Sequence, residues 1–254
     1  MNKVKIFINK ILKRADHRLV KIPNPRALPF DMDLEFRNIY EACAPFTKTS
    51  KERIYAMYKG TEYIERANIP GAIVECGIWR GGSVMVSMLT LGILGKKDRE
   101  FYLYDTYAGM VEPESRDITV KRGAPAHDRW EKGRREGFNA WAYASLQEVK
   151  HNIGITEYPE QKISYIQGKV EETIPKHIPE KIALLRIDTD WYSSTKHELI
   201  HLFPRLSSGG VLIIDDHGCF QGAKDAVDEY IKEYNIPLLL HRVDGSGRVA
   251  VKIV

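Results

Sequence analysis

Cysteine is scarce in this chain of 254 residues, which contains three of them, Cys43, Cys76 and Cys219. Their number is odd and no two are spaced as CxxC, so the sequence predicts neither a disulfide framework nor a zinc knuckle. These absences exclude small disulfide-stabilised secreted domains and zinc-finger proteins as classes. A reducing compartment, the cytoplasm, is the expected location.

Long apolar runs and nucleic-acid signatures are missing as well. The apolar stretches near the N-terminus are far too short for a membrane span or a signal-peptide core, so no transmembrane segment is predicted. No basic patch is interleaved with stacking aromatic residues, so no nucleic-acid partner is expected. With 43% apolar and 28% charged residues, the composition is that of an ordinary globular protein.

Positive charge is concentrated in an N-terminal arm. Residues 1–21 hold seven Lys or Arg against one acid, which leaves 31 basic against 33 acidic residues in the remainder. Apolar residues recur in this arm at Val4, Ile8, Ile11, Ala15 and Leu19. Their helical spacing predicts an amphipathic helix. Such a helix attaches peripherally to an anionic membrane surface, or it docks on its own domain or on a second subunit in a homo-oligomer.

The rest of the chain predicts one α/β domain, residues 35–254, preceded by a basic arm and connector, residues 1–34. Helices are expected over 35–68, after which strands and helices alternate; this rhythm predicts a doubly wound, mostly parallel, seven-stranded Rossmann-like sheet. Strands are predicted near 72–76, 101–105, 163–167, 182–187, 210–214, 237–241 and 248–253. The helices between them are predicted near 82–95, 140–153, 193–206 and 222–234. A tight-turn signal at 244–247 predicts a terminal hairpin, so that the last strand runs antiparallel.

One long segment, residues 106–139, interrupts this alternation. It carries charges, glycines and prolines but little periodicity. Loops of this length inside a compact domain are usually lids or binding segments, and a disordered surface insert is the alternative. The aromatic residues Tyr107, Trp130, Phe138 and Trp141 would give a lid an apolar underside.

A glycine-rich loop follows the first predicted strand. Glycines at 77, 81 and 82 between a strand and a helix allow a ligand to approach the backbone closely, which indicates a nucleotide-type cofactor. The dinucleotide pattern GxGxxG is broken by Trp79. Glu75, on the strand before the turn, suits a cofactor with a cationic amino-acid end, such as S-adenosylmethionine. Asp105 ends the second strand, where an acid accepts hydrogen bonds from ribose hydroxyls in dehydrogenases and methyltransferases alike.

Two acidic couplets stand where apolar runs stop. Asp188 and Asp190 follow the run 182–187, and Asp215 and Asp216 follow 211–214. Carboxyl ends of neighbouring parallel strands share the ligand-binding edge of a sheet. Carboxylates that converge there repel one another, and a bound cation allows them to stay ionised together. The oxygen-only donor set favours Mg²⁺ over zinc or copper.

The chain resembles the macrocin O-methyltransferase family through five motifs that occur in the family's order over about residues 45–235. The motifs are ECGIWRGG (75–82), DTYAG (105–109), GKVEETIP (168–175), RIDTDWYSST (186–195) and GGVLIIDDHG (209–218). Members of this family are S-adenosylmethionine- and Mg²⁺-dependent enzymes that methylate sugar hydroxyls on antibiotics. The resemblance therefore implies a sugar or glycoside O-methyltransferase in natural product biosynthesis.

The resemblance also implies roles for individual residues. Asp190 is the implied general base, and the implied metal ligands are Asp188, Asp215 and Asp216. Residues implied to surround the cofactor are Thr47, Glu75, Gly77, Ser83, Asp105 and Gly168. His217 stands where the family often has an aromatic residue, and the N-terminal arm matches nothing in the family pattern.

Other interpretations stay open at this stage. A catechol-type O-methyltransferase shares the metal chemistry but takes a flat diphenol, and an inactive cofactor-binding module would use the arm to recruit a partner. Asp215 and Asp216 could instead cap the following helix, and Asp188 could form a structural ion pair with Arg186.

Overall fold

The computed structural model describes residues 28–253, and residues 33–254 form one compact unit. The predicted amphipathic helix of the arm lies outside the described residues. Within the described part of the chain, no helix is both long enough and apolar enough to cross a membrane.

The helices and strands alternate after two N-terminal helices. The α-helices are α1 (Leu34–Cys43), α2 (Lys51–Arg66), α3 (Gly82–Ile93), α4 (His127–Gly133), α5 (Leu146–Gly154), α6 (Val170–Thr173), α7 (Tyr192–Leu202) and α8 (Gln221–Glu233). The strands are β1 (Ala72–Cys76), β2 (Phe101–Asp105), β3 (Arg134–Arg135), β4 (Phe138–Asn139), β5 (Ile163–Gln167), β6 (Ile182–Ile187), β7 (Leu206–Ile214), β8 (His241–Arg242) and β9 (Arg248–Val251). Short 3₁₀ turns cover Ala44–Phe46, Glu160–Lys162 and Phe203–Arg205.

The main sheet has seven strands in the order β5-β2-β1-β6-β7-β9-β8. Strands β5, β2, β1, β6 and β7 pair in parallel, whereas β9 runs antiparallel to both β7 and β8. The predicted mostly parallel seven-stranded sheet with an antiparallel last strand is therefore confirmed. From β1 the chain first builds one side of the sheet and then crosses to β6 on the other. The crevice between the carboxyl ends of β1 and β6 is thus the topological switch point, where such folds bind ligands.

Burial explains why the central strands sit where they do. Every residue of β1 and of β6 is buried, as expected for strands covered by helices on both faces. Their apolar side chains join those of β7, α7 and α8 in one core cluster. Helix α2 begins at Lys51, because the Ser50 hydroxyl caps it by accepting a hydrogen bond of 3.2 Å from the Arg53 backbone N–H.

Several predicted elements differ from the structure at their bounds, and two of these differences have a local cause. The strand predicted over 237–241 is present only at His241–Arg242, since Pro237 lacks an N–H and Leu238 and Leu240 pack against the core without pairing. The helix predicted from residue 140 begins at Leu146. Its N-cap is Ser145, whose hydroxyl accepts a hydrogen bond of 3.2 Å from the Glu148 backbone N–H.

The segment after β2 contains α4 and the small β3–β4 hairpin, and it packs against an aromatic cluster. Trp141 packs edge-on against Trp191, with ring centroids 5.4 Å apart, and Trp191 packs in the same way against Phe220 at 5.0 Å. The Trp130 indole donates to the Met110 carbonyl at 3.0 Å. Of the four aromatics predicted to form an underside, Tyr107 is buried, whereas Phe138 is 38% exposed.

Candidate functional site

A cleft of about 400 Å³ opens at the switch point. This volume is within the range of small-molecule sites. The cleft is lined by the glycine loop after β1, by both acidic couplets, and by parts of the segment after β2. A smaller cavity of about 70 Å³ adjoins it and shares Gly77, Asp105 and Asp188 with the cleft, while Gly168 lines only the smaller one.

The Asp105 carboxylate holds the glycine loop in place. It accepts hydrogen bonds from the backbone N–H groups of Ile78 at 2.7 Å, Trp79 at 3.1 Å and Tyr107 at 2.7 Å. Burial raises the pKa of Asp105, and these three donors act in the opposite direction. Trp79 adopts a left-handed conformation, with φ 48°, which the Asp105 contact helps to stabilise.

Gly77 brings β1 against the end of β6. Its φ is +85°, and the Asp188 N–H donates to the Cys76 carbonyl at 2.9 Å. A Cβ at position 77 would overlap the Asp188 carbonyl oxygen and lie 2.7 Å from the carbonyl carbon. Glycine is therefore required here both for the backbone conformation and for the close approach of a candidate metal ligand.

Replacing Gly77 by alanine is expected to destabilise the fold by about 3 kcal/mol, because left-handed strain and overlap with the β6 backbone add together. Gly95→Ala is the matched control: Gly95 also has positive φ, +67°, but nothing lies within 4 Å of its added Cβ. Strain alone should cost this control about 1 kcal/mol. Chemical denaturation of both variants measures the difference, and equal losses would contradict the role assigned to the overlap.

The acidic couplets meet in one cluster. Carboxylate oxygens of Asp188, Asp215 and Asp216 all lie within 4.8 Å of one another. Asp190 lines the same cleft, and its negative charge contributes to raising the pKa of Asp216, after burial. A left-handed turn, with φ 66°, directs Asp190 there rather than the alternation of an extended strand.

Burial and charge crowding together raise the pKa values in this cluster. The pKa values of Asp188, Asp190 and Asp216 are raised well above their ordinary value, first by burial and then by neighbouring carboxylates. The positive charge of Arg186 opposes the rise in the pKa of Asp188, and the positive charge of Arg129 opposes the rise in the pKa of Asp190. A cation added to the cluster would favour the ionised forms.

Two arginines form ion pairs with the acids of this cluster. One of them, Arg53, was not predicted from the sequence. The Arg186 guanidinium donates to Glu75 at 2.7 Å, and lies 2.7 Å from Asp188 Oδ2 and 2.5 Å from Asp215 Oδ1. Arg53 forms an ion pair with Asp215 and lies 3.0 Å from Asp244. The Asp188–Arg186 pair left open by the sequence therefore exists. The positive charge of arginine, as well as that of a metal ion, can therefore offset the negative charge of these carboxylates.

The donor set nevertheless fits a hard divalent cation such as Mg²⁺. It consists of carboxylate oxygens alone, and Asp216 Oδ2 is buried without a hydrogen-bond partner. The competing helix-capping role is not observed, since α8 has Phe220 as its N-cap and no side-chain cap bond. Buried unpaired carboxylate oxygens are costly in the absence of a ligand.

The residues predicted around a cofactor lie at different depths. Thr47, Gly77, Ser83 and Asp105 line the cleft. Glu75 is fully buried behind it, where Ser83 and Arg186 both donate to Oε1 and Oε2 has no partner. Glu75 thus belongs to the layer beneath the cleft surface.

His217 and Cys219 complete the surroundings of the second couplet. His217 Nε2 lies 2.8 Å from Asp228 Oδ1, its Nδ1 is buried without a partner, and burial lowers the pKa of the ring. Cys219 lines the cleft, and burial raises the pKa of its thiol to about 12, so it is a protonated and unreactive thiol.

Comparison with known proteins gives a family match over most of the chain. The family model described as Macrocin-O-methyltransferase (TylF) matches residues 29–251. Those residues include the whole sheet and every predicted site residue.

Three similar proteins illustrate the match. Demethyldecarbamoylnovobiocin O-methyltransferase of Streptomyces niveus is 30% identical over 71% of this chain. The matched region spans 65% of that enzyme's length. A tetracenomycin-C rhamnosyl 4'-O-methyltransferase of Streptomyces olivaceus is 29% identical over 79% of this chain and 73% of its own length. The solved structure of the O-methyltransferase NovP superposes with a TM-score of 0.72 at 27% identity, covering 82% of this chain and 83% of that one.

Proposed function

The chain belongs to the macrocin O-methyltransferase family, and we propose that it methylates a sugar or glycoside hydroxyl with S-adenosylmethionine and Mg²⁺. The family match confirms the resemblance drawn from the motifs and the assignment as an O-methyltransferase enzyme. One observation carries the finer proposal: a single cleft joins a glycine loop to a cluster of four aspartates at the switch point of the sheet.

The proposed cofactor site runs from the cleft into the smaller cavity. Thr47, Gly77, Ser83 and Asp105 line the first part and Gly168 the second, with Glu75 supporting Ser83 from beneath. Bound S-adenosylmethionine would supply an electrophilic sulfonium methyl group. The loop's backbone, held by Asp105, keeps this part of the site open to such a ligand.

The proposed Mg²⁺ ligands are Asp188, Asp215 and Asp216. A bound Mg²⁺ would supply charge stabilisation for an acceptor oxygen that is losing its proton. Arg186 and Arg53 each form an ion pair with one carboxylate oxygen of Asp215, so other protein groups hold this ligand in its orientation.

Asp190 is the proposed general base. It lies half-buried beside the candidate metal ligands, and burial and neighbouring charge raise its pKa, which makes its carboxylate a stronger base. A carboxylate oxygen of Asp190 would take up the proton of the acceptor hydroxyl. The segment after β2, whose Trp141 and Arg129 line the cleft, is the proposed lid that excludes water.

We propose a sugar rather than a catechol as the acceptor. Trp79 and Trp141 line the cleft together with the basic groups of Lys48 and Arg129, and the rhamnosyl-tetracenomycin O-methyltransferase among the relatives of this chain is named for a sugar-bearing substrate. We further propose a cytoplasmic homo-oligomer; the buried free thiols of Cys43 and Cys76 agree with a reducing compartment.

Calorimetric titration tests this proposal. Asp188→Asn and Asp216→Asn are each expected to weaken Mg²⁺ binding by at least about tenfold, because each removes a charged oxygen donor. S-adenosylhomocysteine binding should persist in both. Asp98→Asn is the control, since Asp98 is exposed and lines a separate cavity at the other edge of the sheet. Unchanged Mg²⁺ binding in both variants would refute the metal site, and absence of cofactor binding in the unmodified protein would refute the methyltransferase site.

A further inference from the structure

Two of the four basic residues in the cleft have no carboxylate partner. Arg53 and Arg186 are each ion-paired with acids of the cluster. Lys48 and Arg129, by contrast, form no ion pair or side-chain hydrogen bond within residues 28–253. The site therefore presents two positive charges that its own acids do not neutralise.

Aromatic rings support both of these cations. Lys48 Nζ lies 4.1 Å from the centre of the Trp79 ring, and the Arg129 guanidinium carbon lies 4.2 Å from that of Trp141. Trp141 packs in turn against Trp191. Cation–π contacts of this kind hold a charge in position without cancelling it.

Both cations line the same cleft as Asp190, the proposed base. Burial and then Arg129 lower the pKa of Lys48, and Asp190 acts in the opposite direction. Because the reacting hydroxyl must lie beside Asp190, a negative group near that hydroxyl on the same acceptor would lie within reach of both cations. The repulsion between Lys48 and Arg129 would also be relieved by an anion placed between them.

We propose that Lys48 and Arg129 bind a carboxylate or phosphate group carried by the acceptor glycoside. The acceptor is therefore an anionic sugar, such as a uronate or a sugar phosphate, rather than a neutral one. This inference rests on the proposed function, since it names the substrate class of the same cleft.

Binding of three probes to the protein loaded with Mg²⁺ and S-adenosylhomocysteine tests the proposal. The probes are methyl glucuronide, glucose 1-phosphate and the neutral methyl glucoside. At low salt, one or both anionic probes should bind at least about tenfold more tightly than the neutral one. The first two probes distinguish a carboxylate from a phosphate ligand. Equal affinities, or no binding of any probe, would overturn the inference.

Substitutions test whether Lys48 and Arg129 cause the preference for anionic probes. Lys48→Met combined with Arg129→Met should abolish the roughly tenfold preference, whereas Lys48→Arg, which keeps the positive charge, should retain most of it. Lys132→Met is the matched control, because Lys132 is an exposed base on the same helix as Arg129 that does not line the cleft. A preference that survives the double substitution would refute the assignment.

The cofactor carboxylate is the competing partner for Lys48, which follows Thr47 in the chain. If Lys48→Met weakens S-adenosylhomocysteine binding about tenfold and leaves the probe preference unchanged, Lys48 is a cofactor ligand and the inference is wrong. If the unmodified protein fails to bind S-adenosylhomocysteine at all, the proposed function fails and this inference fails with it. Normal cofactor and Mg²⁺ binding without an anionic preference overturns the inference alone.

Discussion

Replacing Asp190 by asparagine is expected to lower kcat by about 10²–10⁴-fold, the usual contribution of a positioned general base. Asparagine has nearly the same volume as aspartate, but its amide cannot accept the hydroxyl proton at neutral pH. S-adenosylhomocysteine and Mg²⁺ should bind within about threefold of the unmodified protein, because Asp190 belongs to neither proposed ligand set.

The measurement is single-turnover methyl transfer to an acceptor identified by the probe experiment, together with calorimetry of both ligands. Asp98→Asn again serves as the control, since it changes an exposed carboxylate remote from the cleft. A kcat within threefold of the unmodified enzyme would mean that another group accepts the proton. A parallel loss of Mg²⁺ binding would instead make Asp190 part of the metal site.

The sheet could be predicted because its central strands have only one stable location. The run 182–187 is apolar apart from Arg186, and such a run is stable only when helices cover both faces of the sheet. Its end therefore predicts the position of Asp188 at the ligand-binding edge. The strand at 237–241 lacked this constraint: it lies at the edge of the sheet, and Pro237 cannot donate to a neighbour.

The partners of the acids were harder to predict, because they depend on register. Glu75 and Arg186 are directly opposed in the parallel pairing of β1 and β6. A charged residue within each of two apolar runs is a signal that the two could be paired, but the alignment of the strands is needed to match them. Arg53 gave no such signal, since it lies on a helix distant in sequence and reaches Asp215 only through the tertiary fold. The left-handed turn at Asp190 was likewise invisible, because aspartate adopts that conformation only occasionally.

Replacing Arg186 by methionine is expected to destabilise the protein by about 3–5 kcal/mol, since it leaves buried carboxylates without their cation. The Arg186 side chain is 3% exposed, and its partner Glu75 is fully buried. Lys196→Met is the contrasting control: Lys196 pairs with Glu233, whose side chain is 57% exposed, and such surface pairs contribute less than about 1 kcal/mol.

A double-mutant cycle with Glu75→Gln separates the pair from the rest of the cluster. Glutamine removes the buried charge at position 75, so Glu75→Gln with Arg186→Met should be more stable than the sum of the single losses predicts, by about 1–3 kcal/mol. Glu75→Gln cannot restore all of the stability lost in Arg186→Met, because Asp188 and Asp215 also lose their ion pairs with Arg186. Urea denaturation with chelator present and cofactor absent measures all four proteins without added ligand stabilisation. Strict additivity would show that Arg186 is coupled to the aspartates alone. A loss below about 1 kcal/mol for Arg186→Met would show that the acids stay neutral in the ligand-free fold and need no arginine.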